Sequence, residues 1–400
     1  MQRRSLVLSS ASALYSFMGH SYNYHSAVKD ALQLDSIDYK VLIPRRNPIT
    51  SGNAMWVAEL GTSAMLISQF DLKTVRFFYY VYDAVVISFS WLRFYKVNSK
   101  VHSTFIFFET GGNFLDEMLI SFVLKLFSFK KPEKVWYLIR GLPSSKKFQY
   151  ILKLSIVAAQ FLAGKNKLIV LTDTLPLKES LTLFLKREVS CVAIPHGLTA
   201  SLGSRKVIVP PQKKSITRIW GVSCLGQNKG EDYLASLLKN INLVFPIQVL
   251  VRDVFLYRNQ IDENQVIFRI GDNLSERDYI KNLQSCSVAL LPYFGGNNQQ
   301  YHLSSSGIFV DCLAAGVLPL VSKGTWMETE LKRFCLEELI VNWDKYNNFY
   351  DLLKLIQSLL KSQETINKLN NMRSNYCNLH SPSGFLKSLY ESGCLCENQV

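Results

Sequence analysis

The chain has 400 residues with a hydrophobic fraction of 48% and 19% charged residues, which excludes a disordered or fibrous chain and exceeds what one ordinary core fills. The formal net charge of +14 is concentrated in residues 1–210, which carry 26 Lys and Arg against 13 Asp and Glu, while the remainder carries 19 against 18. All eight cysteines lie at or after Cys191 in scattered spacings that fit neither a disulfide framework nor a zinc pattern, so a reducing cytoplasm is expected.

In chain order, Ser5–Ser9 reads as a first strand, and Ala27, Ala31 and Leu32 mark one face of the helix that follows. The start is basic, but serines interrupt Ser5 to Phe17 too often for a secretory signal. Tyr39–Ile43 is the second strand. Residues 52–100 are rich in aromatics, with Arg76, Arg93, Lys96 and Lys100 among them. Arg76, Asp83 and Arg93 would be costly in hydrocarbon, so Val75–Tyr95 is expected as a buried or interfacial helix, with most of its aromatics in the core.

Thr104–Phe108 is a strong strand, and Glu109 at its carboxyl end is placed for acid/base or hydroxyl-binding work. Further strands are expected at Val135–Arg140, Leu168–Leu171 and Ser190–Ile194. A proline- and lysine-containing linker begins at Pro210. Beyond it come strands at Thr217–Leu225, Ile247–Val251 and Gln265–Ile270, with a helix over Glu231–Lys239 and another capped by Ser275. Ser287–Pro292 reads as a buried parallel strand. Ser304, Ser305 and Ser306 are helix-capping types, Gly316 sits at the expected C-cap, and Val317–Val321 is the next strand. Tyr346–Leu369 reads as a surface helix region and Pro382–Ser392 as the last helix. Alternating strands and helices imply doubly wound parallel sheets, hence an α/β class.

The chemistry is expected in the loop after Ser287–Pro292, because open α/β sheets bind ligands beyond the carboxyl ends of their strands. A helix start rich in Ser and Gly suits phosphate. Asp311, one turn below Gly307, could accept hydrogen bonds from a ribose or could be a solvated helix residue.

The segment LLPY…YHLSSSGIFVDCLAAGVLPLVS resembles the donor-binding segment of GT-B glycosyltransferases, particularly glycosyltransferase family 4. That resemblance implies two Rossmann-like domains facing a cleft, here 1–209 on the acceptor side and 210–380 for the nucleotide-sugar, with 381–400 as a helix and tail that packs back on the first. It implies a metal-independent, retaining hexosyl transfer, without a cofactor, from a nucleotide-sugar donor to a glycan or lipid-linked acceptor in bacterial surface polysaccharide or glycolipid synthesis. Asp311 matches the motif Glu that binds the ribose, and Ser305, Ser306 and Gly307 match the part that meets the diphosphate. Leu303 stands where the family usually has its first Glu. Lys229-Gly230 resembles the end of G-R-x-x-x-x-K-G, in which Arg and Lys neutralise the diphosphate. The Arg is missing, and Arg252 at the end of Ile247–Val251 is its candidate substitute. By the same resemblance His20 and His25 are acceptor-side candidates, and His196 in the phrase IPHG is a substrate contact. Glu109, His196 and Lys229 are the candidate catalytic residues.

The basic first half and its aromatic segment point to an anionic membrane surface as a further partner, at the inner face of the plasma membrane. No nucleic-acid-binding module is visible. Two rivals remain: a non-catalytic subunit of the same fold, motivated by Leu303 and the missing Arg, and a nucleotide-sugar epimerase.

Overall fold

The computed structural model describes residues 4–11, 20–45, 54–60, 73–110, 114–165, 167–195, 217–239, 241, 247–262, 266–272, 274–293 and 300–396. It divides into two compact units, one of Met1–Pro195 with Pro382–Val400, the other of His196–Ser381.

The first unit runs β1 (Ser5–Ser10), α1 (His20–Gln33), β2 (Asp38–Pro44), β3 (Trp56–Leu60), α2 (Lys73–Ser99), β4 (Ser103–Thr110), α3 (Phe114–Phe127), β5 (Val135–Ile139), α4 (Lys146–Ala163), β6 (Leu168–Thr172), α5 (Leu175–Leu185) and β7 (Ser190–Cys191). Its strands pair in parallel in the order β3-β2-β1-β4-β5-β6-β7. The interior strand β5, VWYLI, is buried at every position, as a parallel strand covered on both faces should be. Ser145 caps α4 by accepting from the Phe148 amide, and Thr174 caps α5 through the Leu177 amide. The order reverses between β1 and β4, which makes the carboxyl ends there a topological switch point.

The second unit runs β8 (Thr217–Trp220), α6 (Glu231–Lys239), β9 (Ile247–Arg252), α7 (Asp253–Asn259), β10 (Ile267–Ile270), α8 (Glu276–Ser285), β11 (Val288–Leu291), α9 (Gln300–Leu303), α10 (Gly307–Ala315), β12 (Leu318–Ser322), α11 (Trp326–Arg333), β13 (Ile340–Val341), α12 (Phe349–Lys361) and α13 (Gln363–Leu379). Its parallel sheet has the order β10-β9-β8-β11-β12-β13, with the switch between β8 and β11. The last helix, α14 (Pro382–Glu391), returns to the first unit and packs on α1. There Phe385, Leu389, Cys394 and Leu395 share a core with Val28 and Leu32, and the Lys134 ammonium donates to the Gly393 carbonyl at 2.6 Å.

Three local expectations change. β8 stops at Trp220, because a Cβ at Gly221 would lie 3.0 Å from Leu234 and 3.2 Å from the Leu250 carbonyl, and this close backbone approach turns the chain. The region Tyr346–Leu369 is two helices, broken where Ser362 leaves helical geometry and caps α13 through the Thr365 amide. Its first helix is no surface rod, since Phe349, Leu352, Leu353, Ile356 and Leu359 are buried. In α2, Trp91, Phe94 and Tyr95 are in the core as expected, but Phe78, Tyr80 and Tyr82 are exposed.

Candidate functional site

Two of the segments singled out in the second unit, Lys229-Gly230 and the start of α10, meet at the carboxyl end of β11. Gly226 to Lys229 make a short turn, closed by the Lys229 amide donating to the Gly226 carbonyl at 2.9 Å. Gly230 then takes φ +74°, and a Cβ there would sit 2.5 Å from Pro292, so only glycine allows the loop to lie on the end of β11. This places the Lys229 ammonium 5.9 Å from the ring centroid of Tyr293. Glu231 fixes the loop from below by accepting from the Gly226 amide and, at 3.1 Å, from Asn259.

Tyr293 pairs through its hydroxyl with Ser306, and its ring lies 4.9 Å from that of Tyr301 in α9. Ser306 is the N-cap of α10 by backbone geometry, and its own side chain makes no capping bond. Amides at a helix start are the donors that anions use. Ser305 and Gly307 flank it. At the other end, Gly316 closes α10 in the left-handed conformation at φ +77°, as its position suggested.

Asp311 is one turn into α10 and 4% exposed, so it is not a solvated helix residue. The Tyr279 hydroxyl donates to its Oδ2 at 2.8 Å. Burial, then the neighbouring Asp311 charge, push the Tyr279 phenol well above its ordinary range, which keeps that proton on tyrosine. Tyr279 in turn stands edge-on to Trp220 at the end of β8. Arg252 ends β9, and its buried Nε has no hydrogen-bond partner among the described residues. Leu303 ends α9, and the neighbouring His302 comes within van der Waals reach of Gly324.

In the first unit a charged cluster caps β4, β5 and β6. Glu109, the penultimate residue of β4, lies 3.0 Å from Arg140, which follows β5. Arg140 also reaches Asp173, after β6, at 3.7 Å, and its guanidinium lies 4.9 Å from the ring centroid of Tyr24 in α1. Burial holds the Glu109 carboxyl above the usual carboxylate range, Arg140 pulls it back, and Asp173 raises it again. His25 lies behind this cluster, with Nδ1 2.7 Å from the Tyr39 hydroxyl and its ring against Tyr24 and Trp56. Burial, with Arg140 adding, pushes His25 down to about 3, so the imidazole is neutral at physiological pH.

His20 is the first residue of α1, and its side chain is outside the described ones, while His196 lies outside the described residues altogether. The structure thus brings Lys229 and Ser306 together at Tyr293, with Ser305 and Gly307 beside Ser306 in the chain, and places Glu109 in a charged cluster with His25 behind it; Asp311 is held instead by Tyr279, and Arg252 ends β9. Sequence reasoning assigned no role to Tyr279, Tyr293, Arg140, Asp173 or Tyr24. The rule used for Glu109, a polar residue just past a strand end, also selects Arg140 and Asp173.

No family description and no curated protein matches the chain by sequence. Solved structures do match over its whole length. The apo structure of OtsA, a trehalose-6-phosphate synthase, is 11% identical with a TM-score of 0.63, covering 98% of this chain and 100% of that one. The N-terminal domain of Candida albicans trehalose-6-phosphate phosphatase is 9% identical with a TM-score of 0.65, covering 98% and 97%. A glycosyltransferase from Rickettsia africae ESF-5 is 12% identical with a TM-score of 0.61, covering 99% of each chain. At such identities the likeness speaks for architecture: the chain has the GT-B fold, built of two Rossmann-like domains with parallel sheets.

Proposed function

We propose that this protein transfers a sugar from a nucleotide-sugar donor to a hydroxyl of a glycan or lipid-linked acceptor, with the donor on the second unit and the acceptor on the first. One observation carries the reading: Gly230 lies on Pro292, so that Lys229 and Ser306 at the start of α10 meet around Tyr293 at a switch-point strand end. A diphosphate leaving group gains negative charge as the glycosidic bond breaks, and fixed donors aimed at that charge lower the barrier. Lys229, the amides at Ser305–Gly307 and Arg252 supply it. Asp311, held by Tyr279, accepts from the ribose hydroxyls. Glu109 handles the acceptor proton, with His196, His20 and His25 as acceptor-side groups. The reading includes retention at the sugar carbon, independence of metal, a role in surface polysaccharide or glycolipid synthesis, and work in the cytoplasm against an anionic membrane.

The neighbours support it by what they are: one is a glycosyltransferase, and a further one, from E. coli, is bound with UDP-2-fluoro glucose. A thermal-shift screen of nucleotide-sugars tests it, since a bound donor stabilises the native state by mass action. A donor that raises Tm should then be consumed with an acceptor present. Absence of any saturable donor binding would favour the non-catalytic rival that Leu303 suggests.

A further inference from the structure

The first unit carries an apolar surface that its core does not explain. In α2, Tyr82, Val85, Phe89 and Val97 are exposed at spacings of three, four and eight, one stripe along the helix, while Trp91, Phe94 and Tyr95 fill the opposite, buried face. In α4, Tyr150, Leu154, Val157 and Phe161 repeat the pattern at four, three and four. Between them α3 exposes Phe122 and Leu126. The helix α2 packs on α3 and α3 on α4, and the rings of Phe122 and Phe161 meet 6.2 Å apart across the second contact. Phe129, just past α3, is 103% exposed. Contiguous exposed aromatics of this extent mark an interaction surface.

The charge around it selects the partner. Residues 73–167 hold 15 Lys and Arg against five Asp and Glu. Of those acids Asp83 and Glu117 are buried, Glu109 is paired with Arg140, Asp116 is largely covered, and Glu133 alone is exposed. Lys96 lies over Phe129 at 5.9 Å, Lys125 over Phe161 at 4.7 Å and Lys153 over Phe184 at 4.4 Å. None of the three has a carboxylate within ion-pair distance among the described residues. Ammonium groups set beside surface rings suit a lipid boundary, where the rings enter the acyl region while the ammonium groups stay at the phosphates. A second copy of the same face would set lysine against lysine. No helix of the described residues is long and apolar enough to cross a membrane.

We infer that the outer face of α2, α3 and α4, with Phe129, docks on an anionic lipid bilayer by burying its aromatic stripe between lysines that hold lipid phosphates. This rests on the membrane part of the proposed function and assigns it to one face and to aromatic insertion. It does not depend on glycosyl transfer.

The test is co-sedimentation with vesicles of phosphatidylcholine alone and with phosphatidylglycerol added, at low and physiological salt. The proteins are the parent, Phe89→Ser/Phe129→Ser/Val157→Ser, Lys96→Gln/Lys125→Gln/Lys153→Gln, and Tyr257→Ser as an exposed aromatic control on the second unit. All substituted side chains are at the surface, and thermal melts report that the fold is kept. The parent and the control should bind anionic vesicles. The aromatic triple should lose about tenfold or more in partition at both salts, as lost burial of three apolar side chains requires. The lysine triple should lose most at low salt, where the lysine–phosphate attraction is least screened, and less at physiological salt. An aromatic triple that binds like the parent overturns the assignment while leaving membrane association by another face standing. A parent that ignores anionic vesicles overturns both. A parent dimer that the aromatic triple dissolves, without vesicle binding, makes the face a contact between copies and also overturns it.

Discussion

The Arg140 guanidinium lies 3.0 Å from the Glu109 carboxylate and 3.7 Å from Asp173, one cation shared by two acids from neighbouring strand ends. Arg140 is what restrains the upward shift that burial gives Glu109. Replacing it with methionine should raise the Glu109 pKa further, because the adjacent opposite charge is lost while the burial and Asp173 remain. If ionised Glu109 takes the acceptor proton, the acid limb of the pH–rate profile moves to higher pH. Arg140→Lys should move it less. A limb that stays in place removes Glu109 from the chemistry.

Lys229→Ala should lower kcat/KM about ten- to a hundred-fold, with much of the loss in kcat, because the diphosphate charge grows toward the transition state. Asp311→Asn should chiefly raise KM for the donor, since an amide can still accept from Tyr279 but binds ribose hydroxyls less well. Leu303→Ala serves as the comparison and should affect stability without changing donor recognition. Steady-state kinetics over donor concentration separate the three.

Gly230→Ala adds a methyl 2.5 Å from Pro292 in a backbone at φ +74°. It should cost about 1–3 kcal/mol and weaken donor binding, because the loop carrying Lys229 must lift from β11. Gly226→Ala, at φ +92° with nothing within 4 Å of the new methyl, carries the backbone strain without the clash. Thermal melts with and without donor should show a larger loss at position 230 and a donor-dependent part confined to it.

Asp116, in the first turn of α3, is pushed up to about 7 by burial, with Asp83 of α2 adding. A raised acid is held protonated by the fold, so its stabilising contribution is present below the ordinary carboxylate range, near pH 4, and is lost as pH rises through about 7. Glu117 is shifted in the same direction, burial first and Asp116 second. Asp116→Asn should therefore leave Tm nearly unchanged at about pH 3.5, below the unfolded value, and raise it at pH 8 by roughly 2–4 °C, the effect of about 1 kcal/mol in a unit of this size. Equal shifts at both pH values would mean that the gain is not electrostatic.

The sheets were legible because parallel strands buried on both faces read as short apolar runs, as in Thr104–Phe108 and Val135–Ile139. The α10 unit was legible down to its Gly316 cap, because capping is local chemistry. Tyr279 was not, since its link to Asp311 spans 32 residues and depends on how α8 and α10 pack. The exposed rings of α2 were hidden for a related reason. Its sequence is aromatic on both sides, so periodicity alone could not say which side met the sheet.

The return of α14 to α1 makes the second unit an insertion within the first. During synthesis, residues 1–195 emerge with a gap in their core that Phe385, Leu389 and Leu395 fill only after the whole second unit has been made. At ordinary elongation speeds that gap stays open for roughly 10–40 s, while the second unit has its own sheet complete and free to form first. Through that interval the nascent first unit shows both its aromatic helix face and an unfilled hydrophobic seam, a combination that invites chaperones or early capture by a membrane.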